Sequence, residues 1–290
     1  MKHTFHIPVA AAVCICAVLC ISGSALHAQT AGIATTDADK AEFHRIMEQL
    51  ENEESCPVSE RMLKIAGLRL GTPYASGTLE KEPEQLTINV LKTDCILFVE
   101  SCLAMALTGG DDFDEFADNV RNLEYRDGIV DGYSSRLHYT SEWLQQAVKR
   151  GILDEITADI GGLPLEQHFN FMSTHPQSYM QLKNNPDEVA KIEAIEKRLE
   201  GCDYYYIPKS KIPEMESLIK DGDIICFVGN IEGLDMTHVA MAYHDGGRLT
   251  FIHASTKYGK AVIEPSGLAA YCNSIKSNKG IRVARIRQDF

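Results

Sequence analysis

The fold is decided by a stretch in the last third of the chain, residues 237–255, which reads THVAMAYHDGGRLTFIHAS. Two β-rich runs flank the turn-forming residues Asp245, Gly246 and Gly247, which is the pattern of a β-hairpin. Three further short β-rich segments lie nearby, at residues 204–207, 223–228 and 281–286. The last third of the chain is therefore predicted to form an antiparallel sheet.

The hairpin places two histidines on one face of this sheet. If Asp245-Gly246 is the turn, His238 and His253 are direct cross-strand partners with Cβ atoms about 5 Å apart. If Gly246-Gly247 is the turn, the two histidines are diagonal neighbours that still share a face. Both registers predict a histidine pair.

The first half of the chain has helical periodicity instead. Apolar residues recur at helical spacing over 40–70, and a strongly apolar helix is predicted over 94–107. Helices followed by a run of strands predict the α+β class with an antiparallel sheet. No stretch has the composition of a linker, so residues 42–290 are predicted to form a single domain.

The first 28 residues are predicted to be a secretory signal peptide. Lys2 gives a basic start, residues 7–21 carry no charge, and small residues precede the expected cleavage after Ala28. Residues 29–41 are small and polar and are predicted to be a flexible lead. No later stretch is long and apolar enough for an integral membrane span, so we expect an exported protein, with a lipid anchor as the alternative.

The charge balance excludes one class of partner. The chain has 41 acidic and 28 basic residues and a formal net charge of −13. Nucleic-acid binders present a basic face, and no block of Lys or Arg indicates one here. Nucleic acid is therefore not expected as a partner.

Cys95 is the candidate nucleophile. Thr93 or Asp94 is a suitable N-cap, which puts Cys95 in the first turn of the helix, where unpaired N–H groups and the helix dipole favour a thiolate. His238 would accept the thiol proton and His253 would orient His238, giving a Cys–His–His relay. The structural alternative is that Cys95 is a small core residue.

A metal site is the competing interpretation of the histidine pair. Cys226, His238 and His253 offer three zinc ligands. The sequence has neither Cys-x-x-Cys nor His-x-x-x-His spacing to support it. We therefore predict no metal and no cofactor.

A third segment, residues 135–143, reads SRLHYTSEW and contains the single tryptophan of the chain. An arginine pairs with carboxylates, and aromatic rings stack on apolar faces of ligands. The segment is therefore a candidate site for a carboxylate- or sugar-bearing ligand. The alternative is that these residues anchor the start of a helix.

Five segments in this order resemble the landmarks of NlpC-type cysteine peptidases of the bacterial cell wall. They are Gly71-Thr72-Pro73-Tyr74, Asp94-Cys95, residues 218–225, His238-Val239-Ala240 and His253-Ala254-Ser255. The chain is most similar to a subgroup that looks like N-acetylmuramoyl-L-alanine amidases, whose Arg-x-His-Tyr-x-x-x-Trp and Gly-Leu-Asp-x-x-His patterns match residues 136–143 and 233–238. The resemblance covers residues 60–290.

The resemblance implies a papain-like NlpC-type core, in which the helix bearing the nucleophile packs on an antiparallel sheet, with a helical insertion at about 111–203. It implies cleavage of the lactyl–L-Ala amide of 1,6-anhydro-muropeptides, which are peptidoglycan fragments, in the periplasm. Cys95 corresponds to the nucleophile, His238 to the base and His253 to the orienting residue.

The resemblance also implies residues that contact the substrate. Tyr74 would line the site and help to hold the substrate or the oxyanion, and the expected recognition residues are Arg136, His138, Tyr139, Trp143 and Asp235. The family often has Ser-Gly after the cysteine, where this chain has Ile96-Leu97. The rival functions are a γ-D-glutamyl endopeptidase with the same three residues and a non-catalytic muropeptide-binding protein.

Overall fold

A computed structural model describes residues 32–51 and 55–287 of the chain. The predicted signal peptide, residues 1–28, lies outside these ranges. The helices in them are α1 (Asp37–Glu48), α2 (Val58–Leu68), α3 (Cys95–Leu107), α4 (Phe113–Glu124), α5 (Thr140–Lys149), α6 (Phe171–Thr174), α7 (Pro186–Glu200), α8 (Ile212–Met215) and α9 (Leu268–Ser274). The strands are β1 (Leu153–Glu155), β2 (Leu163–Pro164), β3 (Tyr205–Pro208), β4 (Ile224–Val228), β5 (Met236–Asp245), β6 (Arg248–Ser255), β7 (Lys260–Ile263) and β8 (Gly280–Ile286).

The eight strands form one antiparallel sheet in the order β2-β3-β8-β4-β5-β6-β7. Strand β1 also pairs with β8, next to the segment that pairs with β3. Helices dominate the chain before β3, and most of the sheet comes after it. The predicted α+β class with an antiparallel sheet is confirmed.

Helix α3 is the central helix of the structure. It packs against α2 and α4 and against strands β5 and β6. Every residue from Leu97 to Ala106 is buried, which is the state expected of a helix that is apolar on all sides. The start of α3 is thereby held in a fixed position beside the hairpin.

The two faces of the sheet contribute to different hydrophobic clusters. Cys226, Val239 and Ile252 face the core that contains α3. Phe227 and Phe251, which alternate with them along the strands, face a second cluster with α9 on the opposite side. This alternation decides on which side of the sheet each hairpin side chain lies.

The segment between α3 and β3 has a small core of its own. This segment contains helices α4 to α7. Its core consists of buried aromatic and aliphatic side chains: Tyr133, Tyr139, Phe169, Met172, Leu182, Ile192, Leu199 and Tyr204.

Within residues 32–51 and 55–287, no helix has both the length and the hydropathy that crossing a bilayer requires.

The lead predicted over residues 29–41 is shorter than expected, because α1 begins inside it. Ala34 pairs with Thr87, and the Thr36 side chain caps α1 by accepting a hydrogen bond from the Asp39 N–H. The buried Asp39 carboxylate in turn accepts hydrogen bonds from the N–H groups of Val90 and Leu91. Composition alone missed these contacts because both partners are distant in sequence.

These contacts predict a stability defect for Asp39→Asn. Burial raises the Asp39 pKa, but the hydrogen bonds from Thr36, Leu91 and Val90 outweigh this effect and lower it. The ionised carboxylate therefore stabilises the fold at neutral pH, and its contribution is lost as the pH falls below about 4. We expect Asp39→Asn to lower the free energy of unfolding by about 2 kcal/mol at pH 7, measured by urea denaturation.

Asp37→Asn in the same helical turn is the matched control, since Asp37 is exposed. We expect the difference in the free energy of unfolding between the two variants to be smaller at pH 3 than at pH 7. Equal stability of both variants at pH 7 would contradict the role assigned to Asp39.

Candidate active site

The turn of the β5–β6 hairpin is Gly246-Gly247. Asp245 pairs with Arg248, and the two glycines have φ angles of 59° and 87°, in the left-handed region that favours glycine. The prediction that Asp245-Gly246 forms the turn, with the two histidines directly opposite each other, is wrong. The alternative is confirmed: His238 and His253 are diagonal neighbours on one face.

The two histidines are in direct contact. Nε2 of His238 and Nδ1 of His253 are 2.6 Å apart, and the rings are nearly perpendicular. Phe227, Phe251 and Tyr271 pack against them from the α9 side of the sheet. His253 is 1% exposed, so this aromatic wall fixes its ring in a dry environment.

A β-bulge lies directly before His238. Phe227 pairs with His238 but Val228 pairs with Met236, so Thr237 is an extra residue in β5. Bulges change the direction of neighbouring side chains and are frequent beside active sites. Here the bulge lies where β5 enters the cleft that contains Cys95.

Cys95 is the first residue of α3, as the sequence predicted. Asp94 caps the helix, and its Oδ1 accepts a hydrogen bond from the Leu97 N–H at 3.0 Å. Cys95 and the histidine pair line one cleft of about 400 Å³, together with Tyr74. The structure thus brings together the four residues predicted for the reaction centre.

The protonation of Cys95 differs from the expectation. Burial raises the pKa of its thiol to about 12, and the charge of Asp94 adds to the shift. Hydrogen bonds from the backbone N–H groups of Val239 and Ile96 favour the thiolate but are the smaller effect. The helix start therefore does not make Cys95 a resting thiolate, because desolvation outweighs the helix dipole here.

The histidines are neutral for the same reason. Burial, with a smaller contribution from His253, lowers the pKa of His238 to about 3. Burial lowers the pKa of His253 to about 4. At neutral pH the site holds a neutral thiol and two neutral imidazoles, one of which has a nitrogen free to accept a proton.

Tyr74 is placed by a loop between α2 and α3. Its backbone N–H donates to the Gly259 carbonyl, and it forms a bridge with Thr93. Burial raises the pKa of the Tyr74 hydroxyl, and the nearby Cys95 and Asp94 raise it further. The hydroxyl remains a hydrogen-bond donor at neutral pH.

Arg136 and His138 line a second, smaller cavity of about 160 Å³. Asp94, Ile96 and Leu97 from the start of α3 form one of its walls, so it lies beside the nucleophile. Arg136 is buried and its guanidinium is 3.1 Å from Glu80. Burial, together with the charge of Arg136, lowers the pKa of His138 to about 3.

Two buried acids in this cavity were missed by the sequence analysis. Glu100 and Glu124 both line it, and burial raises the pKa of each carboxyl well above its usual value. A protonated carboxyl donates a hydrogen bond as well as accepting one. The sequence signal that could have indicated Glu100 is its position as a lone acid inside the apolar run CILFVESCLAM, residues 95–105.

Three predicted recognition residues line neither cavity. The Tyr139 hydroxyl donates to Glu196, and Trp143 is 1% exposed in the core. Asp235 is buried and accepts hydrogen bonds from the N–H groups of Ser141 and Met236. These contacts correct the expectation: the three side chains connect α5 and the start of β5 to the core rather than facing the cavities.

The zinc alternative does not fit the geometry. Cys226 is fully buried on the α3 side of the sheet, whereas His253 packs with Phe251 on the other side. Among the residues that the structure describes, no group of three or more His, Cys, Asp or Glu side chains could hold a metal ion.

The chain is similar to known proteins over most of its length. Residues 64–281 match the AmiA-like family, described as N-acetylmuramoyl-L-alanine amidase-like. The structure of an N-acetylmuramoyl-L-alanine amidase from Bacteroides uniformis ATCC 8492 is 38% identical, with 79% of this chain and 99% of that chain covered and a TM-score of 0.77. No curated protein matches the chain in sequence.

Two further solved structures are similar. A Bacteroides fragilis protein provisionally named a xylanase is 42% identical over 76% of this chain and 99% of that chain, with a TM-score of 0.73. A Legionella pneumophila protein at 22% identity covers 86% of this chain and 94% of its own, with a TM-score of 0.68, and so shares the fold.

The matched region contains the helix that begins at Cys95 and the hairpin that carries the histidine pair. It also contains Tyr74 and the second cavity beside the start of α3. The chain belongs to the N-acetylmuramoyl-L-alanine amidase-like family.

Proposed function

We propose that this chain is a cysteine amidase that hydrolyses the amide between the lactyl group of muramic acid and L-Ala in 1,6-anhydro-muropeptides. The observation that carries the proposal is the Cys95 thiol in one cleft with a hydrogen-bonded histidine pair. A nucleophile, a base and a group that orients the base are the elements of nucleophilic amide hydrolysis. Membership of the amidase-like family supports the choice of bond.

The reaction begins with a proton transfer. Nε2 of His238 contacts His253, so Nδ1 is the nitrogen left to accept the thiol proton. As the proton moves to Nδ1, the sulfur of Cys95 attacks the lactyl carbonyl carbon and a tetrahedral oxyanion forms. Backbone N–H groups at the start of α3 and the Tyr74 hydroxyl are the donors proposed to stabilise it.

The second half returns the proton. His238 gives it to the nitrogen of L-Ala, the C–N bond breaks, and the peptide leaves with a free amine. A thioester remains on Cys95. His238 then removes a proton from a water that attacks the thioester, and the muramic acid leaves as a carboxylic acid while the thiol is regenerated.

The positions of the two cavities support one direction of substrate binding. The leaving amine must lie next to His238, which places the stem peptide in the larger cleft, where Lys257 can attract its carboxylates. The acyl side then extends past the start of α3 into the smaller cavity. Arg136, Glu100 and Glu124 line that cavity and offer hydrogen bonds to the sugar there, and burial raises the pKa of both carboxyls.

The proposal extends to the fold family and the location. Helix α3, packed on an antiparallel sheet with Cys95 at its start, supports a papain-like NlpC-type core. The elements between residues 111 and 203 support a helical insertion in that core. A periplasmic location after removal of residues 1–28 stays a prediction from the sequence, as does peptidoglycan turnover as the biological role.

The first test is Cys95→Ala, analysed by mass spectrometry with a purified anhydro-muropeptide as substrate. We expect the wild type to release an intact peptide that begins with L-Ala, and Cys95→Ala to lose at least about 10⁴-fold in kcat/KM because no nucleophile remains. Cys202→Ala is the matched control, since Cys202 is exposed and outside the cleft.

Each alternative outcome of this experiment contradicts a different part of the proposal. Turnover that persists in Cys95→Ala would exclude Cys95 as the nucleophile. A muramoyl-dipeptide product would keep the mechanism but assign cleavage to a γ-D-glutamyl bond. Saturable binding without cleavage would favour a muropeptide-binding protein.

The second test is the pH dependence of kcat/KM. Burial lowers the pKa of His238 to about 3, so the base stays neutral well into the acid range. We expect kcat/KM at pH 5 to remain within about twofold of its value at pH 7, because the folded-state pKa lies below both values. A papain-type thiolate–imidazolium pair would instead make Cys95 react rapidly with iodoacetamide at both pH 5 and pH 7, because the thiolate is the reactive form. Rapid alkylation of the wild type at both pH values, lost in Cys95→Ser, would contradict the neutral pair.

A further inference from the structure

A carboxylate that the Cys–His–His relay does not use lies directly behind it. Glu264 follows β7, is 3% exposed and lines the same cleft as Cys95. Its backbone N–H donates to the Phe251 carbonyl at 2.9 Å, which attaches it to the strand that carries His253. A buried carboxylate at such a position requires a partner, since an unpaired buried charge is costly.

The two oxygens of Glu264 face different groups. Oε1 accepts hydrogen bonds from the N–H and the hydroxyl of Ser266, at 3.1 and 2.5 Å. Oε2 lies 3.5 Å from Nε2 of His253. That nitrogen is buried and has no hydrogen-bond partner, so Glu264 is the acceptor placed opposite it.

This arrangement determines which nitrogen of each ring carries a proton. A carboxylate opposite Nε2 of His253 favours the tautomer with the proton on Nε2, which leaves Nδ1 of His253 as an acceptor. The short contact then requires His238 to donate from its own Nε2. Nδ1 of His238 is left with a lone pair, as the proposed proton transfer from Cys95 needs.

We propose that Glu264 is a positioning residue and the fourth member of the site, whose carboxylate holds His253 as the Nε2–H tautomer and thereby presents Nδ1 of His238 to Cys95. The catalytic consequence of this role rests on the proposed function, but the tautomer itself does not. The negative charge also stabilises the imidazolium that His238 becomes when it takes the thiol proton.

Other ionisable groups face the same cleft and do not substitute for Glu264. Tyr74, Lys257 and Tyr271 line it together with Cys95. Burial raises the pKa of both tyrosines, which stay neutral, and Lys257 is cationic and exposed. Among the described groups that line this cleft, Glu264 is the one carboxylate.

The deciding measurement is histidine-selective ¹⁵N NMR of the mature protein at pH 7, with long-range imidazole correlations that identify each tautomer. We expect His238 and His253 both to be Nε2–H in the wild type, assigned with His253→Gln. A wild-type His253 with its proton on Nδ1 would overturn the proposal without any Glu264 variant.

The variant test uses Glu264→Gln and Glu264→Asp as a matched pair. Glu264→Gln keeps the size but removes the charge, and we expect mixed tautomers and about tenfold slower alkylation of Cys95 by iodoacetamide at pH 7. Glu264→Asp keeps the charge and should retain the tautomer and recover part of the rate. Glu193→Gln on α7, an exposed acid paired with Lys197, controls for loss of charge.

The outcomes separate this proposal from the proposed function. Equal defects in Glu264→Gln and Glu264→Asp, or wild-type tautomers in Glu264→Gln, would reduce Glu264 to a packing role. Circular dichroism of each variant checks that it is folded. Expected tautomers in a wild type that cleaves no muropeptide would refute the amidase and leave the positioning role intact.

Discussion

The half-buried position of Cys95 and His238 in one cleft at the start of α3 is the constraint on which the rest of the site depends. A helix start stabilises a thiolate, but burial of Cys95 has the larger effect and raises its pKa to about 12. The same burial lowers the pKa of His238 to about 3. If Cys95 and His238 are both neutral at rest, the unprotonated nitrogen of His238 must already face the thiol. The tautomers of His238 and His253 therefore determine whether the proton can be transferred.

The most regular elements of the fold fix the orientation of Cys95 and His238. Helix α3 is buried on all sides, the Gly246-Gly247 turn sets the hairpin register, and the bulge at Thr237 adjusts the direction of His238. Aromatic rings from β4, β6 and α9 hold the histidine pair from behind. Rigid elements position reacting groups more accurately than loops do.

The sequence predicted the parts of this site that local patterns encode. The cap at Asp94 placed Cys95 at the helix start, and the period of a strand placed His238 and His253 on one face whichever turn formed. The turn itself was ambiguous, because Asp245-Gly246 and Gly246-Gly247 are both good hairpin turns. The buried acids and the inward orientation of Trp143 depend on packing between distant segments, which no local pattern contains.

The protonation of buried groups also resolves a conflict between net charge and ligand. The chain has a formal charge of −13, yet the proposed muropeptide substrate carries carboxylates. Burial raises the pKa of Glu100 and of Glu124 beside the second cavity, which weakens their repulsion of an acidic ligand. Arg136, which pairs with Glu80, lines that cavity, and Lys257 lines the larger cleft. The potential that a substrate meets is set by these nearby groups, because charges on the exposed surface are screened within about 10 Å. An acidic protein can therefore present a site that accepts an acidic ligand.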